Sequence, residues 1–252
     1  MRALIQIKEN GHAAVDRVAM STFTDIFERF ARRVLPHGQS DAERQRFQQL
    51  ARLAALGAGH SLDFEEYDAQ LVYVVSGETK LVAHASGSRD QIIAFHFAGD
   101  VYSVPARDNY SYSVCALTDC DLLLFPSREF LELAGDEPHI LRHLLGNTTD
   151  SLRRCREKTI ALGRKTASER VAVFLLAMSE RIGVTDGQRV TLELPMSRRD
   201  ISESLGLTIE TVSRQLTVLR AAGIIETTGR STVVLHDPQQ LRQHAGYLLE
   251  PA

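Results

Sequence analysis

Hydrophobic residues at intervals of three or four predict two helices near the start of the chain. Those of the first helix, within residues 22–33, are Phe23, Ile26, Phe27 and Phe30. The pair Ser40 and Glu43 has the spacing of a capping box and predicts the start of a second helix. The apolar positions of that helix are Phe47, Leu50 and Leu53. Residues 1–21 have no such pattern, and we expect them to be a separate leader.

Between Ala58 and Pro126 the pattern changes to short runs rich in β-branched and aromatic residues. The runs are residues 71–75, 80–83, 92–97, 112–116 and 121–125. Turn-forming pairs such as Ser76-Gly77, Ser86-Gly87 and Gly99-Asp100 separate them. Short strands at these intervals predict a double-sheet barrel or jelly roll.

A heptad pattern begins after Pro138. Apolar and small residues alternate there in steps of four and three, which is the spacing of a coiled-coil seam. The seam residues are Leu141, Leu145, Thr148, Leu152, Cys155, Thr159 and Leu162. The pattern predicts a helix over residues 138–163 that pairs with its counterpart in a homodimer. Because some seam residues are only weakly apolar, we expect the β domain to share in the dimer contacts.

Residues 197–219 predict two short helices joined at a glycine. Ser197 and Asp200 form a capping box before a helix with Ile201 and Leu205 on its apolar face, and Gly206 ends that helix. Leu207 or Thr208 opens the second helix. Its apolar stripe is Val212, Leu216 and Leu219. A hairpin follows, with Gly229 in its turn and a strand over residues 231–235, so the whole segment predicts a winged helix-turn-helix.

Glu210 and Arg214 lie side by side on another face of the second helix. One interpretation is an ordinary solvated ion pair, which contributes only about 0.2–0.5 kcal/mol. In a major groove, however, arginine bonds the N7 and O6 atoms of guanine and glutamate accepts from the N4 amine of cytosine. The surrounding helix-turn-helix and wing favour the second interpretation, which is DNA binding.

Composition limits the choice of function. The 252 residues allow two domains, and the net charge of −3 means that any DNA affinity must come from a local patch. Basic residues are dense in one stretch, at Arg153, Arg154, Arg156, Lys158, Arg164, Lys165 and Arg170. Such a run is usually a solvated helix face, although its position leaves phosphate contact open. With neither a membrane-span length of apolar residues nor a signal-peptide pattern, we expect a cytoplasmic protein with no membrane partner.

The block from Leu207 to Arg214, with the wing, resembles the C-terminal domain of the CRP/FNR superfamily of bacterial transcription regulators. It is most similar to the FNR and FixK branches, because Ile209 and Ser213 replace an arginine and a glycine of the CRP branch. The resemblance implies an α+β fold. Its parts are a helical prelude and a cyclic-nucleotide-binding-like β-roll over residues 22–137, a dimerisation helix over 138–163 and a winged helix-turn-helix over 164–252, with the domain boundary near Gly163.

The resemblance also implies a target of two inverted TTGAT-type half-sites. It assigns base contacts to Glu210, Ser213 and Arg214. Phosphate contacts, carried over less securely, are assigned to Ser197, Arg198, Thr208, Thr211 and Arg230. By the same resemblance, the protein is a homodimer in an oxygen- or redox-responsive circuit that contacts double-stranded DNA and RNA polymerase, with activation or repression undecided.

The predicted sensor domain lacks the usual ligand signatures of the family. Residues 101–110 have no Gly-Glu turn, and Arg107 stands beside an acid, so we do not expect cyclic-nucleotide binding. An iron–sulfur cluster needs several thiolates, and no cysteine precedes Cys115. His139 and His143, one turn apart, leave haem or another effector as the alternative. The prediction is therefore no metal and no cofactor, as in FixK-like regulators controlled through their own synthesis.

The number and spacing of the cysteines limit the roles they can have. Three cysteines without a Cys-x-x-Cys pair argue against a disulfide framework or a structural zinc site. Cys155 on the seam is a candidate redox thiol, with a small packed seam residue as the alternative.

Another class of function is a ligand-binding signalling module with a protein-binding tail, and such a module would not need Arg214. A cupin-like enzyme ranks last, because neither clustered metal ligands nor a nucleophile with its base is evident in the sequence.

Overall fold

The computed structural model of the chain describes residues 7–8, 22–36, 40–64, 68–86 and 89–247. The chain divides into two compact units between Leu152 and Arg153. This division falls inside a long helix, whereas the sequence placed the domain boundary near Gly163, at the end of that helix. Within the described residues, no helix is both long and apolar enough to cross a membrane.

Short helices, then strands, then helices again make up the first unit. Its helices are α1 (Phe23–Val34), α2 (Asp41–Leu50), α3 (Ser127–Ala134) and the start of α4 (Pro138–Arg164). Its strands are β1 (Ile7–Lys8), β2 (Arg52–Leu56), β3 (Ser61–Phe64), β4 (Gln70–Ser76), β5 (Thr79–Ala85), β6 (Arg89–His96), β7 (Val101–Val104), β8 (Ser111–Ala116) and β9 (Cys120–Pro126).

These strands form two antiparallel sheets, in the orders β1-β3-β8-β5-β6 and β2-β9-β4-β7. Apolar side chains from both sheets pack into one core, among them Leu62 and Val114 from the first sheet and Val72 and Leu122 from the second. This arrangement confirms the predicted double-sheet β-roll. The predicted leader, residues 1–21, lies outside the described residues apart from the short β1.

The second sheet is covered on its other face as well. Tyr73 and Leu123 point away from the core between the sheets and pack against Phe30 of α1 and Phe130 of α3. Strands that are buried on both faces need apolar residues at every position rather than at alternate ones. This is why residues 71–75 and 121–125 are nearly continuous apolar runs.

The prediction that Leu53 belongs to the second helix is wrong. Helix α2 ends at Leu50, and Ala51 is already extended, with φ −68° and ψ 137°. Leu53 lies in β2, where it pairs with Leu123 of β9. The spacing of Phe47, Leu50 and Leu53 fits one helical face, but Leu53 lies half-buried in a strand that follows the helix without a loop. The sequence likewise missed β3 and β7.

The second unit contains the rest of α4 and the winged helix-turn-helix. Its other helices are α5 (Ala167–Ile182), α6 (Arg198–Leu205), α7 (Ile209–Ala221) and α8 (Pro238–His244). Its strands are β10 (Val184–Asp186), β11 (Arg189–Glu193), β12 (Ile225–Thr228) and β13 (Thr232–Leu235). They pair in the order β10-β11-β13-β12, so the predicted wing is the edge of a sheet whose first hairpin was not anticipated.

Replacement of Phe30 by alanine tests the aromatic packing of the first unit. The Phe30 ring is 1% exposed and lies 4.9 Å from the Phe125 ring and 5.2 Å from the Tyr73 ring, centroid to centroid. Loss of a buried phenylalanine costs about 3–5 kcal/mol of unfolding free energy. We expect Phe30→Ala to lower the urea midpoint measured by circular dichroism accordingly. Tyr110→Ala, at a side chain that is 50% exposed, is the control, and equal midpoints for both variants would contradict the packing argument.

Candidate DNA-binding interface

A left-handed turn joins α6 to α7. Gly206 has φ 61° and ψ 42°, a conformation in which a residue with a Cβ atom is strained. The backbone N–H groups of Gly206 and Leu207 both donate to the Ser202 carbonyl, which closes the end of α6. The predicted break at Gly206 is confirmed. Thr208, rather than Leu207, is the residue that caps α7.

Helix α7 has one buried and one exposed face. Val212, Leu216 and Leu219 are each at most 6% exposed, which confirms the predicted apolar stripe. Glu210, Ser213 and Arg214 are all exposed. Their spacing places them next to one another on the helix surface, so the burial of the stripe presents these polar side chains to solvent as one row.

Thr217 extends this row and was not singled out from the sequence. It is exposed one turn beyond Ser213, and its hydroxyl donates to the Ser213 carbonyl at 3.1 Å. Because the hydroxyl is used inside the helix, the methyl group remains as the side chain's contribution to the exposed face. The spacing of seven residues from Glu210 was the signal that could have found it.

The Glu210 carboxylate is stabilised locally rather than by Arg214. A hydrogen bond from its own backbone N–H holds the pKa of Glu210 below its usual value. Within the described residues, no ion pair joins Glu210 to Arg214. The structure therefore shows Glu210 and Arg214 unpaired with each other, and the carboxylate and the guanidinium both remain exposed.

The hydroxyl groups assigned to phosphate differ in what they have left to donate. The Ser197 hydroxyl and backbone N–H both donate to Asp200, at 2.5 and 2.8 Å. The Thr208 hydroxyl donates to the Thr211 hydroxyl at 3.0 Å and accepts from the Thr211 N–H. Since a hydroxyl has a single proton, the Thr211 hydroxyl still has one to donate, whereas those of Ser197 and Thr208 are engaged.

The two arginines assigned to phosphate also differ in their surroundings. Arg230 is exposed and follows Gly229, the positive-φ residue at the tip of the wing. Arg198, at the start of α6, is half-buried, and burial lowers the pKa of its guanidinium. Its Nη1 atom is buried and has no hydrogen-bond partner. Arg198 thus retains a donor that an acceptor would satisfy once the side chain turned that atom outward.

Much of the basic run in residues 153–170 is engaged within the protein. Arg170 donates to the carbonyls of Leu162 and Leu205 at 2.8 and 3.2 Å. Arg153 pairs with Glu157 at 2.9 Å, and the Lys165 ammonium lies 5.0 Å from the centre of the Tyr247 ring. These contacts stabilise the second unit. The number of basic residues in the run is therefore larger than the number whose charge is available to a phosphate.

The side chains considered as sensor ligands lie in the first unit. Residues 101–104 form β7, residues 105–110 contain no helical turn, and Arg107 is exposed. His139 is exposed, and burial, followed by the charges of His139 and Arg33, lowers the pKa of His143. Within the described part of the chain, no group of three or more His, Cys, Asp or Glu side chains has the placement of a metal site.

Comparison with known protein families identifies both parts of the chain. Residues 169–244 match the Crp-like helix-turn-helix domain, and residues 59–137 match the cyclic nucleotide-binding domain. A winged helix-turn-helix joined to such a β-roll defines a DNA-binding transcription regulator. The matches do not depend on whether the β-roll binds a nucleotide.

Two relatives and one solved structure indicate which kind of transcription regulator the chain is. The chain is 39% identical to the nitrogen fixation regulation protein FixK of Azorhizobium caulinodans, over 69% of this chain and 71% of the relative. It is 32% identical to the transcriptional activator protein FnrL of Cereibacter sphaeroides, over 75% of each chain. The solved structure of FixK2 from Bradyrhizobium japonicum matches with a TM-score of 0.66 and 33% identity, covering 80% of this chain and 99% of that one. The chain belongs to the CRP/FNR family, in its FixK-like branch.

The pH dependence of stability tests the burial of Lys158, which joins α4 to α6. Its ammonium donates to the Ser204 hydroxyl at 3.0 Å, and burial lowers its pKa from 10.5 to about 8. Between these values the unfolded chain binds more protons than the native chain, so this residue's contribution to stability rises with pH. We expect the stability advantage of Lys158→Met over the wild type to shrink from about pH 7 to about pH 10, by at most about 3 kcal/mol.

Urea unfolding of both proteins at the two pH values measures this difference. The wild type is the reference at each pH, so titration of other groups cancels. A difference that stays constant over the range would contradict the burial of the ammonium.

Proposed function

We propose that two copies of this chain form a homodimer that binds an inverted TTGAT-type repeat and activates transcription from nearby promoters. The observation that carries the proposal is the exposed row Glu210, Ser213 and Arg214, held outward by the buried stripe of α7. In the major groove, Arg214 would bond a guanine through N7 and O6, and Glu210 would accept from a cytosine N4 amine. Ser213 supplies a short side chain between them, which lets the helix approach the bases.

Phosphate contacts would position this helix on the duplex. Thr211, Arg198 and Arg230 have donors left for phosphate oxygens, and their places at the start of each helix and on the wing suit backbone contacts. Ser197 and Thr208 act first as helix caps. Their role at phosphate is therefore expected to be weaker than that of the other three.

The homodimer is supported by the exposed seam on α4. Leu145 is 66% exposed and Leu152 is 48% exposed, although both are large apolar side chains on a long helix. Of the remaining seam residues, Leu141, Thr148, Cys155 and Thr159 are exposed and Leu162 is half-buried. Pairing with the same helix of a second copy would remove this surface from water. A two-fold axis through the seam would then set the half-sites about 34 Å apart, one turn of DNA.

The names of the relatives support the regulatory part of the proposal. FnrL is described as a transcriptional activator, and FixK as a regulation protein of nitrogen fixation. We infer that this chain likewise activates transcription through contact with RNA polymerase in the cytoplasm, in an oxygen- or redox-responsive circuit. We also infer that DNA binding requires no cofactor, since the exposed Arg107 and the extended residues 101–104 do not form a phosphate cradle.

Binding of the purified protein to a TTGAT palindrome and to a scrambled duplex tests the proposal directly. We expect tight binding to the palindrome alone, without any additive, in fluorescence anisotropy at a stated salt concentration. Binding that appears only with an added effector would favour an effector-dependent regulator instead. Weak and equal binding to both duplexes, with or without candidate effectors, would contradict the assignment of the row on α7.

Arginine substitutions separate base contact from phosphate contact. We expect Arg214→Ala to cost about 1–3 kcal/mol on the palindrome and to relax the preference at one guanine. Arg230→Ala should weaken binding to all sequences alike and reduce the salt slope by about one. Arg128→Ala, at a surface residue of α3 that pairs with Asp68, is the control and should change neither quantity. Unaltered sequence preference in Arg214→Ala would argue against base contact.

A matched pair of leucines tests the dimer seam. Leu152 on the seam and Leu131 on α3 are each 48% exposed, so a charge at either position costs a similar amount in the free chain. We expect Leu152→Lys to shift the protein towards monomer in analytical ultracentrifugation, and Leu131→Lys to leave it dimeric. Equal effects of the two substitutions would place the interface elsewhere.

A further inference from the structure

A chain of hydrogen-bonded polar side chains crosses the first sheet of the β-roll. The Asp90 carboxylate lies 2.9 Å from His84 Nδ1, and His84 Nε2 lies 2.7 Å from the Ser113 hydroxyl. The Ser113 hydroxyl in turn lies 3.6 Å from Cys115 Sγ. Three adjacent strands, β6, β5 and β8, supply these residues, which are scattered in the sequence.

The chemistry of these four side chains determines which group donates and which accepts in each of the hydrogen bonds. A carboxylate only accepts, so His84 donates from Nδ1 to Asp90, and in the neutral imidazole its Nε2 is then the acceptor for the Ser113 proton. The Ser113 oxygen is left to accept from the Cys115 thiol. A proton leaving Cys115 therefore has a continuous path to His84, and the imidazolium formed there is stabilised by Asp90.

The surroundings favour Cys115 as the reactive end. Val114 and Ala116 of β8 face the core between the sheets, so alternation places Ser113 and Cys115 on the opposite face. Ser113 is only 2% exposed, whereas Cys115 is half-buried. Lys80 of β5 is directly opposite Cys115 in the strand register, and a lysine beside a cysteine favours the thiolate form. Asp63 of β3 is opposite Ser113, so the two cross-strand charges differ in sign and the cation is the one beside the sulfur.

Two other uses of these residues fit less well. No group of three metal-ligating side chains is found in the part of the chain that the structure describes, so a metal site is not favoured. The arrangement of Asp90, His84 and Ser113 is that of a hydrolytic triad, but a nucleophile as buried as Ser113 does not reach a substrate. Cys115, which is only half-buried, is the nucleophile that a small oxidant reaches.

We propose that Cys115 is a site of reversible oxidation by hydrogen peroxide, with His84 and Ser113 as positioning residues that relay its proton. The thiolate sulfur attacks one peroxide oxygen, the O–O bond breaks, and an S–O bond forms. Sulfur loses two electrons to the peroxide, and the leaving hydroxide takes the relayed proton from His84 to become water. The products are a Cys115 sulfenic acid and water, the first step of the cysteine oxidation ladder.

Sulfenic acid trapping measures the proposed reaction in the full-length protein. A Cys155→Ser background is treated with peroxide in the presence of dimedone, and labelling is assigned by peptide mass spectrometry. We expect Cys115 to be labelled faster than free cysteine. His84→Gln and Ser113→Ala should slow labelling about tenfold or more, because each interrupts the proton path.

Ser111→Ala is the matched control. Ser111 lies on the same strand and face as Ser113 and is directly opposite His84 in the register, but it is outside the hydrogen-bonded chain. Its substitution should leave the rate unchanged. Should a change at the buried Ser113 impair folding, Asp90→Asn at a carboxylate that is 53% exposed provides the same test, again with slower labelling expected. Labelling of Cys115 no faster than free cysteine, or equal rates in wild type and His84→Gln, would overturn the proposal.

Discussion

Burial of one apolar stripe on α7 determines what the second unit can do. Burial of Val212, Leu216 and Leu219 fixes the orientation of α7 about its own axis. In that orientation Glu210, Ser213, Arg214 and Thr217 are exposed together. The caps reinforce it, because the Ser197 and Thr208 hydroxyls fix where each helix begins. Specificity therefore depends on packing as much as on the polar residues, and a core substitution that rotated α7 would remove base contact without touching a contact residue.

A similar constraint shapes the first unit, where helices cover one face of the second sheet and the core between the sheets covers the other. The middle of that sheet is therefore apolar on both faces. The first sheet has an outer face, and on it Asp90, His84, Ser113 and Cys115 come together. Asp90, His84 and Cys115 reach the surface on this face, whereas Ser113 is buried between them.

Periodicity alone predicted much of this structure. The stripe of α7, the break at Gly206, the capping boxes and the apolar strands of the second sheet all have local patterns that need no knowledge of the partner strand. Leu53 was misassigned because a strand that follows a helix directly can continue its spacing by chance. The hydrogen bonds that link Asp90, His84, Ser113 and Cys115 were missed because they depend on the register between strands, which no local pattern contains. The partners of Arg170 and Lys165 were unpredictable because the tertiary fold brings Leu205 and Tyr247 to them from distant positions in the sequence.

The strand order β2-β9-β4-β7 has a consequence for the making of the protein. Arg52 of β2 pairs with Leu124 of β9, and Val72 of β4 also pairs with Leu124. The second sheet therefore cannot form until β9 has emerged from the ribosome. Until then, apolar strands such as β4 lack their central partner strand. Contacts so distant in sequence make folding slow. The helix-turn-helix, whose contacts are mostly local, has no comparable delay, so the β-roll is the part of the nascent chain that most needs protection from aggregation.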